Sequence, residues 1–389
     1  MKILQVTKSF KPFWQHGGVA KASFEISKNL VEKGHDVTVY TIDGFSNTIK
    51  IEDNKLMYID GVKTYYFKNV IRRISKNLEI ISPGAIKIIK DNVATYDIIH
   101  FHDYRTSIAV VTAYYAMKYK IPFVIQAHGS LCTFFQKKEL KKIFDIVFGY
   151  NILKNASSVI ALTEAEVLQY KSMRINSERI KIVPNGINFS EYENLPEKGK
   201  FRKKYMLEKN EMIILYLGRI NKIKGIDLLF RAYEILIEKL DRCTLVIVGP
   251  DDGFLSCLKK QSESMRISDN VLFTGPLYGP DKLEAYVDAD VYVLPSTYET
   301  FPMTVLEACA CDTPVIMTDR CGIANVINDI AGFSVEYDKE QLCSAIFKIL
   351  TNDKLKESFG NEGKKFVKEN FEWNSIIKKL EDAYNDVLT

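Results

Sequence analysis

Residues 291–316 read VYVLPSTYETFPMTVLEACACDTPVI, and their alternation of apolar runs and breaking residues predicts the fold. The first four residues are apolar and rich in valine, and Pro295 ends them, which is typical of a buried parallel strand. Pro302 suits the first turn of a helix, where its missing N–H costs nothing, and an apolar helical run follows it. A second strand-like run begins at Pro314. This order of strand, helix and strand predicts one unit of an α/β fold with a parallel sheet.

Two glutamates lie in this stretch, Glu299 and Glu307, with seven residues between them. The pattern predicts that Glu299 lies in the loop that leaves the strand and that Glu307 lies about one turn into the helix. Ligands of open α/β sheets bind at this edge, and a helix N-terminus suits a phosphate or a polar sugar. Ionised carboxylates only accept hydrogen bonds, so they suit a hydroxyl-rich ligand. In the alternative interpretation, Glu299 caps the helix and Glu307 is a solvated helix residue.

The same alternation of short apolar runs and longer amphipathic runs extends along the whole chain. Predicted strands lie at residues 3–6, 36–41, 97–100, 123–126, 158–161, 212–217, 244–248, 270–273, 291–294, 314–318 and 332–335. Predicted helices include residues 19–33, 107–119, 140–154, 226–239, 281–288, 303–309 and 339–350. Two such sets predict two Rossmann-like, doubly wound parallel-sheet domains that face each other across a cleft. We expect the domains at 1–187 and 188–370, because VPNGIN at 183–188 breaks the pattern, and an amphipathic helix follows within 371–389.

The length and composition are those of a globular protein. A chain of 389 residues, 47% hydrophobic and 26% charged, suits two domains. It has no run of 18 apolar residues, so we expect no transmembrane helix, and the apolar stretch at its start is too short for a signal peptide. Seven scattered cysteines without a CxxC pair indicate reduced thiols and a cytoplasmic location. Cys309 and Cys311 fit small buried helix residues better than a metal pair.

The net charge of the chain is only +4, but its basic and acidic residues are distributed unevenly between the two halves. Residues 1–187 hold 27 of the 53 basic residues and 16 of the 49 acidic ones. Two basic clusters lie in this half, at 63–90 and at Lys137, Lys138, Lys141 and Lys142. They predict either a solvated basic surface or docking on an anionic acceptor or on the inner face of a membrane, as a peripheral protein. No nucleic-acid motif accompanies them, so we expect no nucleic-acid partner.

Two loops at predicted sheet edges suit phosphate. GRINKIKGIDLL at 218–229 follows a strand and places Arg219 five residues before Lys224, and two cations there suit a diphosphate. After the first strand, Gly17 and Gly18 immediately precede a helix and permit a turn whose amides meet a phosphate. This is not the GxGxxG dinucleotide fingerprint. The alternatives are surface charge for the first loop and a plain structural turn for the second.

Three histidines lie near the ends of predicted strands. His128 follows a strand in QAHGS at 126–130, at a sheet's carboxyl edge. His100 and His102 share one strand face, which is a metal-ligand spacing, but no third ligand is evident, so we expect no metal. The Asp288-Ala-Asp290 sequence resembles the DxD metal motif, and its position before a strand favours a structural role.

An ordered set of motifs runs through nearly the full length of the chain. It comprises GGVAK at 17–21, GHDVTVYT at 34–41, IIHFHD at 98–103, AHG at 127–129, VPNGIN at 183–188, GRINKIKG at 218–225 and the stretch at 296–316. With these motifs the chain resembles the retaining nucleotide-sugar glycosyltransferases of the GT-B architecture, in the large fourth family. Thr300 and Pro302 stand where many relatives have glycine, Asp312 replaces a usual glycine and Asn325 a frequent glutamate, which leaves the sugar identity open.

The resemblance implies a role for each candidate residue. Gly17 and Gly18 would lie near the donor diphosphate. Arg219 and Lys224 would neutralise that diphosphate, and Glu307 would hold the ribose. The remaining implied contacts are to the transferred sugar and its phosphate, from Glu299, from the amides of Phe301, Met303 and Thr304, and from His128 across the cleft.

The resemblance also implies a reaction. A UDP- or GDP-sugar would donate its sugar to a glycan or lipid-linked acceptor, with no cofactor and no metal, because the two cations neutralise the leaving group. No carboxylate is a convincing nucleophile, so same-face attack by the acceptor would give retention. The C-terminal helix would pack on the first domain. Two alternatives stay open, a UDP-sugar epimerase on the same scaffold and a non-catalytic sugar-binding partner of another transferase.

Overall fold

The computed structural model describes residues 1–13, 18–42, 54–71, 79–131 and 138–389. The chain forms two compact units. The first unit comprises Met1–Gly186 with Trp373–Thr389, and the second unit comprises Ile187–Glu372. Each unit is an α/β fold around one sheet, so the predicted fold class, with two Rossmann-like parallel-sheet domains, is confirmed.

The strands and helices of both units alternate along the sequence. The strands are β1 Lys2–Thr7, β2 Asp36–Ile42, β3 Leu56–Ile59, β4 Val62–Phe67, β5 Ile98–His102, β6 Phe123–Gln126, β7 Ser158–Ala161, β8 Ile180–Ile182, β9 Met212–Leu217, β10 Cys243–Val248, β11 Val271–Gly275, β12 Val291–Leu294, β13 Val315–Thr318 and β14 Gly332–Val335. The helices are α1 Gly18–Glu32, α2 Pro83–Asn92, α3 Ser107–Tyr119, α4 Lys138–Phe144, α5 Tyr150–Asn155, α6 Glu164–Ser172, α7 Lys200–Lys204, α8 Ile226–Ile237, α9 Leu255–Ser264, α10 Gly279–Asp288, α11 Met303–Ala310, α12 Ala324–Ile327, α13 Lys339–Leu350, α14 Asp353–Phe371 and α15 Trp373–Leu388.

In the described part of the first unit, eight strands form one sheet in the order β3-β4-β2-β1-β5-β6-β7-β8. Successive side chains of β1 point to opposite faces of the sheet and therefore pack in different hydrophobic clusters. Leu4 and Val6 pack with residues of α2 and α3, whereas Ile3 packs with α1 and α15. Both faces of the sheet are therefore buried, as its apolar strands predict.

One edge of this sheet differs from the parallel pattern. β3 pairs antiparallel with β4, and Asp60 and Gly61 connect them with φ angles of 46° and 82°. An Asp-Gly pair suits the two left-handed positions of a tight hairpin turn. The sequence analysis missed this hairpin, although IDGV at 59–62 carries its signal.

The predicted helix at 140–154 is interrupted. α4 and α5 are joined by a π-helical turn, Asp145–Gly149. Asp145 is 4% exposed and binds Arg105, with 2.6 Å between its Oδ2 and Nη2. The Asp145 carboxylate has to face the interior to make this ion pair. The π-helical turn, in which hydrogen bonds join residues five apart instead of four, accommodates this orientation within the helix.

The second unit, which is described throughout, has six parallel strands in the order β11-β10-β9-β12-β13-β14. The chain winds outward in one direction from β9 and in the other from β12. Two glycines permit the close packing of loops at this point. A Cβ on Gly225 would lie 1.9 Å from Pro295 O, and one on Gly249 would lie 1.8 Å from Gly218 O.

α15 belongs to the first unit, where its apolar stripe packs against α1. Trp373 is 5% exposed and lies on Gly186, whose added Cβ would come within 2.5 Å of the indole ring. Among the residues that the structure describes, none of the helices is both long enough and apolar enough to cross a bilayer. The cysteines of this part of the chain are free, and most of them are buried.

Candidate active site

The site in the second unit is built where β9 and β12 lie side by side. Neighbouring strands whose connections run in opposite directions leave a crevice at their carboxyl ends, where ligands of α/β folds bind. The loops after these strands are joined there. Thr297 N donates to Ile223 O at 2.8 Å, and the Thr297 hydroxyl donates to the same oxygen at 2.9 Å.

Lys224 and Glu299 meet at this edge as an ion pair. Lys224 Nζ donates to Glu299 Oε2, and the two side chains are 16% and 21% exposed. Gly322 N donates to the backbone oxygen of Glu299 at 2.7 Å, which fixes the loop that carries the carboxylate. The pair therefore holds one cation and one carboxylate at the mouth of the crevice, still reached by solvent.

Arg219, the other predicted diphosphate ligand, makes a different ion pair. Its Nη1 lies 3.0 Å from Asp252 Oδ2, and the Arg219 side chain is 61% exposed. Its backbone is fixed, because Tyr216 donates from its hydroxyl to Arg219 O at 2.8 Å. Asn221 also donates to Asp252 Oδ2, at 2.9 Å. Asp252 thus organises the loop, although the sequence analysis did not identify it.

Glu307 lies in α11 and is 7% exposed. Lys282 Nζ lies 3.0 Å from Glu307 Oε1, and the Tyr286 hydroxyl donates to Oε2 at 3.1 Å. Burial, followed by the charge of Glu307, raises the pKa of Tyr286 well above its usual value, so the phenol keeps its proton and stays a donor. Lys282 and Tyr286 were missed, although their spacing of four on one helix was a signal that they share a face.

The three predicted amide donors lie at the start of α11. Phe301 is 7% exposed and its ring packs on Phe371, with 5.9 Å between centroids. Met303 is the first residue of the helix, and Pro302 before it makes no side-chain cap. Thr304 accepts at its hydroxyl from Tyr292 at 2.7 Å. The first amides of the helix are thus left for a ligand or solvent.

In the first unit, His128 lies in a tightly held loop after β6. Its φ is 50°, a left-handed conformation that costs a residue with a side chain about 1–3 kcal/mol. The fully buried carboxylate of Glu166 fixes this loop, because Gly129 N donates to Oε1 at 2.6 Å and Leu162 N donates to Oε2 at 2.7 Å. Glu166 was not identified from the sequence.

A chain of buried hydrogen bonds determines the protonation of His128. Gln5 Nε2 donates to the Tyr384 hydroxyl at 3.2 Å, the same hydroxyl lies 2.7 Å from His100 Nδ1, and Gln5 Oε1 lies 2.7 Å from His102 Nε2. An amide oxygen only accepts, so His102 carries its proton on Nε2 and its Nδ1 accepts from His128 Nε2 at 2.9 Å. His128 Nδ1 is then an unprotonated acceptor.

Burial also keeps these imidazoles neutral. It lowers the pKa of His100 and that of His128 to about 3, and it lowers the pKa of His102 well below its usual value. His128 lies next to His102, so three histidines come together here, which the sequence did not reveal. The rings form a hydrogen-bonded chain, and no group of three or more metal-binding side chains occurs among the described residues.

The remaining predicted residues have simpler surroundings. Gly18 begins α1, and a Cβ added there would meet no atom within 4 Å, while Gly17 lies outside the described residues. Asp288 accepts from Arg202 N at 2.9 Å, and Asp290 binds Arg202 and Lys356 at 3.1 and 3.0 Å. These two aspartates have structural roles, as expected.

Comparison with known proteins accounts for both units. The sequence profile of glycosyltransferase family 4 matches residues 16–191, and that of glycosyl transferases group 1 matches residues 197–366. The chain belongs to the group 1 glycosyltransferases. This enzyme is 28% identical to an uncharacterized glycosyltransferase of Methanocaldococcus jannaschii, over 99% of this chain and 98% of the relative. It is 26% identical to the alpha-monoglucosyldiacylglycerol synthase of Streptococcus pneumoniae, over 100% and 86% of the two chains.

Solved structures confirm the GT-B fold of this glycosyltransferase. The Anabaena protein HepE, crystallised with UDP-glucose, superposes with a TM-score of 0.78 at 20% identity, over 99% of this chain and 100% of that chain. Sucrose-phosphate synthase from Thermosynechococcus elongatus superposes with a TM-score of 0.75 at 20% identity, over 100% and 99% of the two chains. At this identity the likeness shows the fold alone.

Proposed function

We propose that this glycosyltransferase moves a hexose from a UDP- or GDP-sugar to a glycan or lipid-linked acceptor, with retention of configuration, in the assembly of a polysaccharide or glycoconjugate. The observation that carries the proposal is the ion pair of Lys224 and Glu299 at the carboxyl edge of β9 and β12. It joins a cation that suits phosphate to a carboxylate that suits sugar hydroxyls.

The nucleotide would be held by groups of the second unit. Glu307 would accept from the ribose hydroxyls, and its ion pair with Lys282 would hold that carboxylate in place. The amides at the start of α11 would donate to a phosphate. The crystallised complex of HepE with UDP-glucose supports a nucleotide-sugar as the donor class.

Departure of the nucleoside diphosphate would be assisted by charge. A diphosphate entering the crevice would compete with Glu299 for Lys224, and Arg219 would add a second cation from the same loop. Glu299, released from its partner, would accept from a hydroxyl of the transferred sugar. With both cations supplied by the chain, the reaction needs no metal and no cofactor, and the acceptor would attack from the face that the leaving group vacates.

The unprotonated Nδ1 of His128 suits acceptance from a sugar hydroxyl. A lipid-linked acceptor is supported by the name of the pneumococcal relative, a synthase of alpha-monoglucosyldiacylglycerol. Such an acceptor would bring the enzyme to the cytoplasmic face of a membrane through its basic first unit, as a peripheral protein.

Titration calorimetry with UDP, GDP, ADP and their common sugars, with and without EDTA, tests the proposal. We expect one nucleotide to bind equally well in both conditions. Lys224→Met is expected to weaken that binding about 10- to 100-fold, because a charge-assisted hydrogen bond contributes about 1.5–3 kcal/mol.

Lys222→Met is the matched control, since Lys222 is an exposed lysine two residues away in the same loop. It should bind like the wild type. Loss of binding in EDTA would contradict metal independence. Binding of none of the nucleotides would favour the non-catalytic interpretation, and an epimerised sugar formed without acceptor would favour the epimerase.

A further inference from the structure

A row of large apolar side chains points to solvent along residues 140–150 of the first unit. These side chains are between 43% and 73% exposed, and they belong to Leu140, Ile143, Ile146, Val147, Phe148 and Tyr150. We call this set the apolar face. The helical stretch that carries these residues, which continues to Asn155, packs on the core through Phe144, Ile152 and Leu153. The apolar face is therefore additional to what folding requires, and a patch of this kind marks an interaction site.

The apolar face is held outward by a buried ion pair. Asp145 Oδ2 lies 2.6 Å from Arg105 Nη2, and Tyr104 donates from its hydroxyl to Asp145 Oδ1 at 3.1 Å. Gly149 lets the turn close, because a Cβ there would lie 2.5 Å from Asp145 Oδ1. With Asp145 and Gly149 fixed on the inside, the residues between them face outward.

An apolar groove opens beside the apolar face. Its volume is about 310 Å³, and its lining includes Ile86 of α2, Val110 and Tyr114 of α3, and Val147 and Phe148 of the apolar face. Tyr114 is itself 56% exposed. Val147 and Phe148 belong to both the groove and the apolar face, so the two apolar surfaces adjoin.

The charges around the apolar face favour an anionic partner. Residues 138–155 contain Lys138, Lys141, Lys142 and Lys154 and two acidic residues, Glu139 and Asp145. Asp145 is buried with Arg105 and faces inward. A helical segment with outward apolar residues flanked by lysines has the composition of elements that lie in a membrane interface.

We propose that the apolar face docks this enzyme on an anionic lipid bilayer, with the lysines at the headgroups and an acyl chain in the groove. The inference rests on the proposed function for its choice of a lipid partner, and it adds the surface that would bring the enzyme to a lipid-linked acceptor. The apolar residues enter the boundary between headgroups and acyl chains, and the groove accepts one hydrocarbon chain from that boundary.

Vesicle flotation with the full-length protein tests docking. We expect the wild type to float with vesicles of phosphatidylcholine and phosphatidylglycerol, and to float at least fivefold less with phosphatidylcholine alone. Ile146→Asp should abolish flotation, because it places an anion where the apolar boundary would lie. Leu168→Asp is the matched control, since Leu168 is an aliphatic residue of α6 that is 66% exposed, against 73% for Ile146.

Equal flotation of Ile146→Asp and Leu168→Asp, or no flotation of the wild type, would overturn the proposal. A dimer in sedimentation that Ile146→Asp dissociates would overturn it as well, in favour of a second copy of the chain on the apolar face. Nucleotide calorimetry on the same proteins separates the two ideas. Failure to float with intact nucleotide binding removes only the docking surface, whereas flotation without nucleotide binding removes only the proposed function.

Photo-crosslinking tests the groove. A phosphatidylglycerol with a diazirine in its acyl chain should label peptides that contain residues 110–117 or 147–152. Val110→Phe narrows the groove and should reduce this labelling severalfold while flotation persists. Labelling spread evenly over the chain, or unaffected by Val110→Phe, would contradict an acyl chain in the groove.

Discussion

Lys282 and Glu307 form an ion pair that little solvent reaches, with side chains 19% and 9% exposed. Taking two charges out of water costs several kcal/mol each, and the pairing and the hydrogen bond from Tyr286 offset part of that cost. Such a pair contributes little to stability as a whole, but removal of one member leaves the other charge buried without its ion-pair partner. A buried carboxylate held in this way fits a binding role better than a stabilising one.

Lys282→Met is expected to lower the free energy of unfolding by about 3 kcal/mol, because Glu307 would stay buried without its cation. The double variant Lys282→Met/Glu307→Gln should recover most of that loss, since glutamine is neutral and still accepts from Tyr286. Nucleotide binding should remain about tenfold weaker in the double variant, because an amide accepts less strongly than a carboxylate. Urea denaturation and calorimetry measure the two effects.

The exposed pair of Lys204 and Asp281, with 2.9 Å between Nζ and Oδ1, supplies the control. Lys204→Met should leave unfolding unchanged, because solvent screens that pair. Wild-type nucleotide affinity in Lys282→Met/Glu307→Gln would exclude Glu307 from the ribose site.

At the scale of residues, the sequence predicts those site members that follow directly from a strand end. Glu299, Lys224 and His128 all lie where such reasoning places them. Their partners depend on which helices pack nearby, which local patterns do not encode. Glu166 reaches His128's loop from 38 positions further along the chain, and only the packing of α6 reveals it.

Among the elements, α15 places one side-chain hydroxyl group, that of Tyr384, in the buried interior. Its apolar stripe is evident from the sequence, but Tyr384 within that stripe is fully buried and contacts two polar residues of the sheet. The hydroxyl accepts from Gln5 and is hydrogen-bonded to His100 Nδ1 at 2.7 Å. It thereby orients the Gln5 amide, and through His102 the proton of His128.

Tyr384→Phe is expected to lower the free energy of unfolding by about 1–3 kcal/mol, because Gln5 Nε2 and His100 Nδ1 would be left buried without a partner. It should also free the Gln5 amide to rotate and present its N–H to His102, which would reverse the proton order. Urea denaturation measures the first effect. NMR of ¹⁵N-labelled histidine measures the second, with His128 protonated on Nε2 in the wild type and mixed in the variant.

Tyr58→Phe is the control for Tyr384→Phe, because Tyr58 in β3 is 66% exposed and its hydroxyl is not buried. We expect a change within about 0.5 kcal/mol. Equal losses in the two variants would contradict the buried hydrogen-bond chain, and a wild-type His128 protonated on Nδ1 would reverse the order that we infer.

Two of the strands that the sequence missed share a physical cause. β3 and β8 are short edge strands, with four and three residues, and such strands carry too few side chains for a period to emerge. The interruption of 138–155 was hidden because α4, the π-helical turn and α5 are all helical in pattern. The buried ion pair of Asp145 with Arg105 marks the position where the π-helical turn separates α4 from α5.

For the whole molecule, the distribution of histidines makes the two units respond differently to acid. The chain has five histidines, and all of them lie within residues 1–186. Burial lowers the pKa values of His100 and His128 to about 3, and it lowers the pKa of His102 well below its usual value. These three imidazoles stay neutral in the folded protein, whereas in the unfolded chain they take up protons below about pH 6.5.

The sign of the pH dependence follows from that difference. Because the unfolded state binds more protons, each of these histidines should remove about 1.4 kcal/mol of unfolding free energy per pH unit below pH 6.5. The first unit is therefore expected to lose about 4 kcal/mol per pH unit between pH 6 and pH 5, while the second unit, without histidine, has no such loss. Hydrogen exchange at pH 7, 6 and 5, corrected for intrinsic rates, measures the opening of each sheet separately. His100→Gln should reduce the loss in β1 and β5 by about a third. Equal losses in β9 and β12 would show that protons act elsewhere.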